Sequence, residues 1–173
     1  MESAYLRHIP QEDIYLFNTG NAKKAWLCFG CRYIPELKAH RFIVWAPNAQ
    51  RVSLVGSFNG WDRDAMPMEK IEGGVWVCFA EGIENGALYK YCVTGADGQQ
   101  ILKSDPFAAY SQTGSETASI VWNGGDFRWG DGEYMQRRAK RDFMTQPMSI
   151  YELHLGSWKN MPGERPMYRE LAD

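Results

Sequence analysis

No run of apolar residues in this 173-residue chain approaches the roughly 20 that a membrane-spanning helix requires, which excludes a helical span. Its first residues, MESAYLRHIPQEDIY, lack the basic-then-apolar pattern of a secretion signal, so a cytoplasmic protein is expected. Basic charge is not in excess either. Lys and Arg total 19 against 21 Asp and Glu, a formal net charge of -2, so neither nucleic acid nor an anionic membrane is expected as a partner. The four cysteines do not form a metal pattern. Cys28 and Cys31 make a C-x-x-C, but Cys78 and Cys92 lie too far apart to supply the second close pair of a zinc site. Neither does the Ala25-Trp26-Leu27 stretch before them supply the strand-to-helix turn of a redox pair. Four reduced, largely buried thiols are expected. There is no Gly-rich phosphate loop and no nucleophile elbow, so no cofactor, no metal and no catalytic residue is expected.

What the chain does have is apolar and aromatic mass broken by turns. The apolar share is 45% and the aromatic share 14%, enough to build a core, and 17 glycines and seven tryptophans stand among short apolar runs. Pro10 followed by Gln11, Glu12 and Asp13 suits the acidic first turn of a helix. A second short helix is predicted over Ala22–Phe29, with Thr19 or Asn21 as cap and Gly30 as its end. Strands are predicted at Phe42–Ala46, Arg51–Gly56, Gly74–Phe79, Leu88–Thr94 and Ala118–Trp122. Turn signals at Asn59-Gly60, Gly73-Gly74, Asn85-Gly86 and Asp97-Gly98 separate them. Short strands at near-regular spacing imply a β-sandwich. Beyond it, Asp131–Arg141 suits a charged helix with its basic residues at the end, and Ser149–Leu155 (SIYELHL) reads as a further strand. Tyr168–Asp173 reads as the start of a helix.

Phe58-Asn59-Gly60-Trp61-Asp62 is the most informative segment. It follows the strand RVSLVG, so Trp61 falls on a tight turn. An indole there either packs down on the sandwich or offers its flat face to the apolar face of a glucose ring, with Asn and Lys side chains bonding the hydroxyls.

Phe42–Trp61 reads FIVWAPNAQRVSLVGSFNGW and is followed in order by Gly74-Val75-Trp76, Tyr89-Lys90-Tyr91, Lys103-Ser104-Asp105-Pro106-Phe107-Ala108 and Thr117-Ala118-Ser119-Ile120-Val121. This order resembles the amino-terminal module of the glycogen (1,4-α-glucan) branching enzymes, carbohydrate-binding module family 48. Pro147–Trp158, PMSIYELHLGSW, resembles the first strand of their glycoside hydrolase family 13 barrel. The resemblance covers about Tyr15 to Asp173. It implies a mainly β chain: an immunoglobulin-like β-sandwich with a short helical lead-in and, at the C-terminus, the truncated start of a (β/α)8 barrel. The segments are then 1–38 for the lead-in, 39–123 for the sandwich, 124–146 for a helical connector and 147–173 for the start of the barrel.

The same resemblance implies that Trp61 and Lys90 contact sugar, with Asn59 and Thr117 as secondary candidates. The partners implied are α-1,4-glucan or glycogen and the remainder of the barrel. Asp97-Gly98-Gln99-Gln100 offers amides where glycogen-sensing relatives carry a second tryptophan, so binding is expected to be weak. Ser57 also stands where the family often has an acid. Retaining glycosyl transfer needs two carboxyl groups about 5–5.5 Å apart. Barrel sites assemble from the ends of several strands, and one is present, so Glu152 and His154 are read as structural. The chain is thus expected to be a non-catalytic glucan-binding or positioning region of a glycogen-biosynthetic transferase. A debranching or trehalose-forming relative, or a stand-alone glycogen-binding regulatory subunit, are the alternatives.

Overall fold

The computed structural model describes residues 3–124, 128–142 and 144–158. The chain divides into two compact units, Met1–Gly125 and Asp126–Asp173. Among the described residues no helix is long and apolar enough to cross a membrane.

The first unit begins with two helices, α1 (Ser3–Leu6) and α2 (Gln11–Asn18). Glu12 and Asp13 lie in the first turn of α2, where their charge complements the helix dipole. Among the described residues nine strands follow: β1 (Gly30–Ile34), β2 (Ala39–Trp45), β3 (Arg51–Gly56), β4 (Glu69–Ile71), β5 (Val75–Glu81), β6 (Leu88–Thr94), β7 (Gln100–Lys103), β8 (Tyr110–Ser111) and β9 (Ser119–Ile120). They form two antiparallel sheets, one ordered β1-β2-β5-β4 and the other β3-β6-β9-β8, with β7 also paired to β6. The chain is therefore mainly β and two-sheeted, as the spacing of the strands implies.

Two cores explain the sequence texture. Phe42, Val44, Val52, Leu54, Trp76, Tyr89, Tyr91 and Val121 fill the space between the sheets. Ile9, Ile14, Phe29, Ile43, Val75 and Val77 form a second core between the helical lead-in and the outer side of the first sheet. Both faces of β2 are covered, so it reads as the unbroken run Phe42-Ile43-Val44 instead of alternating. The WAPNA corner is fixed from both ends. Trp45 donates its indole N–H to the Gly73 carbonyl at 3.0 Å, and Trp76 donates its own to the Ala46 carbonyl at 2.9 Å. Gly74, at φ 74°, faces Pro47 so closely that a Cβ would sit 2.6 Å from its Cα, so only glycine fits.

Three expectations change. Ala22–Phe29 is no α-helix: Ala25–Leu27 makes one 3-10 turn, and Gly30 opens β1. That strand lies inside the stretch 1–38 read as helical lead-in. It is short and carries Arg32 and Tyr33, which hide its pairing with β2 from a pattern search. In the second unit, α3 (Gly132–Ala139) and α4 (Leu155–Trp158) are helical. The third change is Ser149–His154, which forms no ladder, and Ile150 and Tyr151 are 86% and 73% exposed. Backbone becomes a strand through hydrogen-bonded neighbours, and none of the described residues supplies them. The helix expected from Tyr168 lies outside the described residues.

Candidate functional site

β3 ends at Gly56 and the chain turns through Ser57–Asn59, after which Gly60 (φ 63°) and Trp61 (φ 62°) are both left-handed. Gly60 adopts this conformation freely, but for a bulky residue it costs on the order of 1–3 kcal/mol and persists only when its surroundings enforce it. They do so here. The Asn59 carboxamide accepts the Gly56 N–H at 2.9 Å and donates to the Leu54 carbonyl at 3.1 Å. Trp61 donates its N–H to the Gly56 carbonyl at 3.0 Å, and Asp62 donates its own to the Asn59 carbonyl at 3.2 Å. The result is a stapled turn in which Trp61 as a residue is 37% exposed. Asn59 is part of the staple, with both polar groups of its amide engaged by backbone.

Lys90 lies opposite Val55 on β6. Its neighbours Tyr89 and Tyr91 are fully buried in the core, so alternation turns Lys90 to the outer face. Its ammonium donates to the Thr117 hydroxyl at 2.7 Å. Ser104 donates its hydroxyl to the Thr117 carbonyl, which fixes that residue from the other side. Lys90 and Thr117 are thus brought together, and the Trp61 turn projects from the end of the strand that pairs with β6. Gln100, where a second ring was sought, accepts from Arg63 at 3.3 Å.

Behind this face lies a buried polar network. Asp105, 6% exposed, accepts from the Tyr89 hydroxyl at 2.7 Å, the Tyr91 hydroxyl at 3.1 Å and the Phe107 N–H at 2.8 Å. Its own N–H donates to the Ser119 hydroxyl at 2.8 Å. Burial raises the Asp105 pKa, and the three donated hydrogen bonds partly oppose that rise. The KSDPFA motif therefore places an anchor inside the sandwich. The thiols are equally inert: burial lifts Cys28 and Cys78 to about 11 and Cys31 to about 12. Cys28 belongs to the lead-in core and Cys31 to the core between the sheets, so the C-x-x-C is split between two interiors.

A cavity of ≈ 540 Å³ lies elsewhere, between α2 and the turn after β4, lined by Leu6, Ile9, Ile14, Tyr15, Asn18 and Ile71. An exposed pair of aromatic rings was missed by sequence reasoning. Tyr110 and Trp122 stand 51% and 41% exposed with ring centroids 5.5 Å apart. The FNGWD turn signal has no counterpart around them, and β8 and β9 are two residues long.

Residues 28–108 match the family description of Carbohydrate-binding module 48 (Isoamylase N-terminal domain), a span that contains the Trp61 turn and all of β1 to β7. The first unit carries a carbohydrate-binding module 48. The chain is also 45% identical over 165 residues to the 1,4-alpha-glucan branching enzyme of Rubrobacter xylanophilus, covering 93% of this chain and 23% of that protein. It is 41% identical over 165 residues to the enzyme of the same name from Geobacillus stearothermophilus, covering 93% of this chain and 26% of that protein. The chain thus spans about a quarter of the length of these relatives. Among solved structures, the type I pullulanase of Bacillus subtilis, complexed with maltose, superimposes with a TM-score of 0.50 at 22% identity. It covers 58% of this chain and 14% of that one, a likeness that establishes the fold of the module alone.

Proposed function

We propose that the outer face of the β3-β6-β9-β8 sheet binds α-1,4-glucan through Trp61, with Lys90 and Thr117 bonding sugar hydroxyls and Asn59 holding the turn. The observation that carries this is the strained, stapled, part-exposed Trp61. A fold that only needed a turn would place a glycine or asparagine at φ 62°. Covering the ring with sugar contributes about 1–3 kcal/mol, which offsets only part of the cost of association, so affinity falls in the millimolar range.

On this reading the chain belongs to a cytoplasmic 1,4-alpha-glucan branching enzyme that cuts α-1,4 chains and rejoins the pieces as α-1,6 branches. The module delivers glucan to a catalytic barrel that begins near residue 147. Within 1–38 the lead-in would end before β1 at Gly30, the sandwich would run from that strand to 123, and 124–146 would serve as connector. The carboxylate pair of retaining glycosyl transfer belongs to barrel strands beyond the first, so this chain alone is expected to leave the iodine stain and the reducing ends of amylose unchanged.

The test is affinity electrophoresis in a glycogen-containing native gel. Trp61→Ala should migrate faster than wild type there and identically in a gel without glycogen. A folded variant that is retarded like wild type would show the indole to be structural.

A further inference from the structure

We infer that the glucan track does not end at Trp61 and Lys90 but runs across the sheet to the Tyr110–Trp122 ring pair, so that the module takes a chain of several glucose units. This rests on the sugar-binding reading of Trp61. Strand register supports the extension. Leu88 shares the outer face with Lys90, two residues away on β6. It pairs with Ile120, and Ile120 pairs with Tyr110, so these three side chains form one row across three strands. The row starts at the turn itself, because the Leu88 N–H donates to the Ser57 hydroxyl at 3.1 Å. Trp122 follows Ile120 by two residues, and its ring meets that of Tyr110 at an interplanar angle of 55°.

From β3 to β8 is three strand spacings, about 14 Å, which is longer than any one sugar ring. A single sugar at Trp61 therefore leaves the ring pair untouched, whereas a longer oligosaccharide reaches it. The chemistry at the far end suits the same ligand. Two rings offer apolar faces for sugar C–H groups, and a groove of ≈ 400 Å³ beside Trp122 is lined by Arg32, Tyr33 and Asn123, which carry polar groups for hydroxyls. A ring pair serving only the core would gain by being buried, yet both rings stand about half open.

The full chain should be titrated with maltose and with maltoheptaose, following the indole N–H resonances by nitrogen-resolved NMR. Maltose should shift the Trp61 signal alone, and maltoheptaose both Trp61 and Trp122. Tyr110→Ala and Trp122→Ala should weaken maltoheptaose about ten-fold and leave maltose unchanged. If either variant fails to fold, Tyr110→Leu and Trp122→Leu keep apolar volume without a ring and are read in the same way. Maltoheptaose bound as in wild type by folded ring-pair variants, or maltose lost to the same degree, overturns the extension while Trp61→Ala still abolishes binding. Wild-type binding of both sugars by Trp61→Ala overturns the reading of Trp61 and the extension with it.

Discussion

At Trp61 and Asp105 the module keeps a residue that a stability argument alone would replace. The left-handed backbone of Trp61 disfavours every side chain with a Cβ by roughly 1–2 kcal/mol relative to glycine. Trp61→Gly is therefore expected to be more stable than Trp61→Ala by about 1 kcal/mol, although neither should bind glucan. Urea unfolding of the two variants checks this, and equal midpoints would mean that the turn imposes no strain. Asp105 poses a different problem, because a carboxylate that burial disfavours sits between two tyrosine hydroxyls. Its folded pKa lies above the ordinary value of 3.8, so the folded state binds the proton more tightly than the unfolded one. Its contribution to stability is then fullest below pH 3.8 and falls as pH rises through the folded pKa. Asp105→Asn has no such proton to lose. The stability difference between variant and wild type should shift in favour of the variant as pH rises from below 3.8 towards neutrality, as read by urea unfolding at each pH. A difference that stays constant would show that Asp105 does not titrate differently in the two states.

At the level of elements, Arg41 decides how the lead-in is held. It extends from β2 with 7% exposure and donates to the His8 carbonyl at 2.7 Å and the Cys28 carbonyl at 3.0 Å, closing the helical segment onto the sheet. Burial lowers its pKa, and because a guanidinium stays protonated in proteins the two carbonyls carry a desolvated cation. Arg41→Met keeps the apolar stem and removes both bonds, at a cost of about 1.5–3 kcal/mol for a charged donor pair. Limited proteolysis should then cut residues 3–27 faster while the sheets persist. Cleavage at the wild-type rate would show that the hydrophobic contacts alone hold the segment. The sequence does not mark this role, since Arg41 sits in an otherwise apolar run. What it does mark are elements with a clean local signal: β3 and β6 match Arg51–Gly56 and Leu88–Thr94 to the residue because their faces alternate or end at turns. Edge strands β1, β4 and β8 and the short β7 carry no such pattern and exist through their partners. The site divides in the same way. The turn position of Trp61 is legible in the sequence, whereas the two backbone bonds that engage the Asn59 amide are not.

For the molecule as a whole, the distribution of core residues sets what can be removed. Among the described residues, both cores are built from residues between Ile9 and Val121. A chain ending at Gly124 should therefore keep the thermal midpoint and the glycogen retention of the full one. It also sheds Met148, Ile150 and Tyr151, which are 66%, 86% and 73% exposed and offer apolar surface for self-association. Its monomer peak in size-exclusion chromatography should be narrower. Removal from the other side has the opposite consequence. Without residues 1–27, the outer side of the first sheet loses Ile9, Ile14 and Phe17, and Ile43, Val75 and Val77 face water. At about 1.5–3 kcal/mol for each side chain exposed, the loss is on the order of 5 kcal/mol, comparable to the whole stability of a domain this size. The lead-in is then a third layer of the sandwich and not an appendage before it. The two truncations should differ sharply in circular dichroism and thermal melting, with the chain lacking residues 1–27 molten or unfolded. A well-folded protein lacking those residues would place the domain boundary back near the start of the sheets.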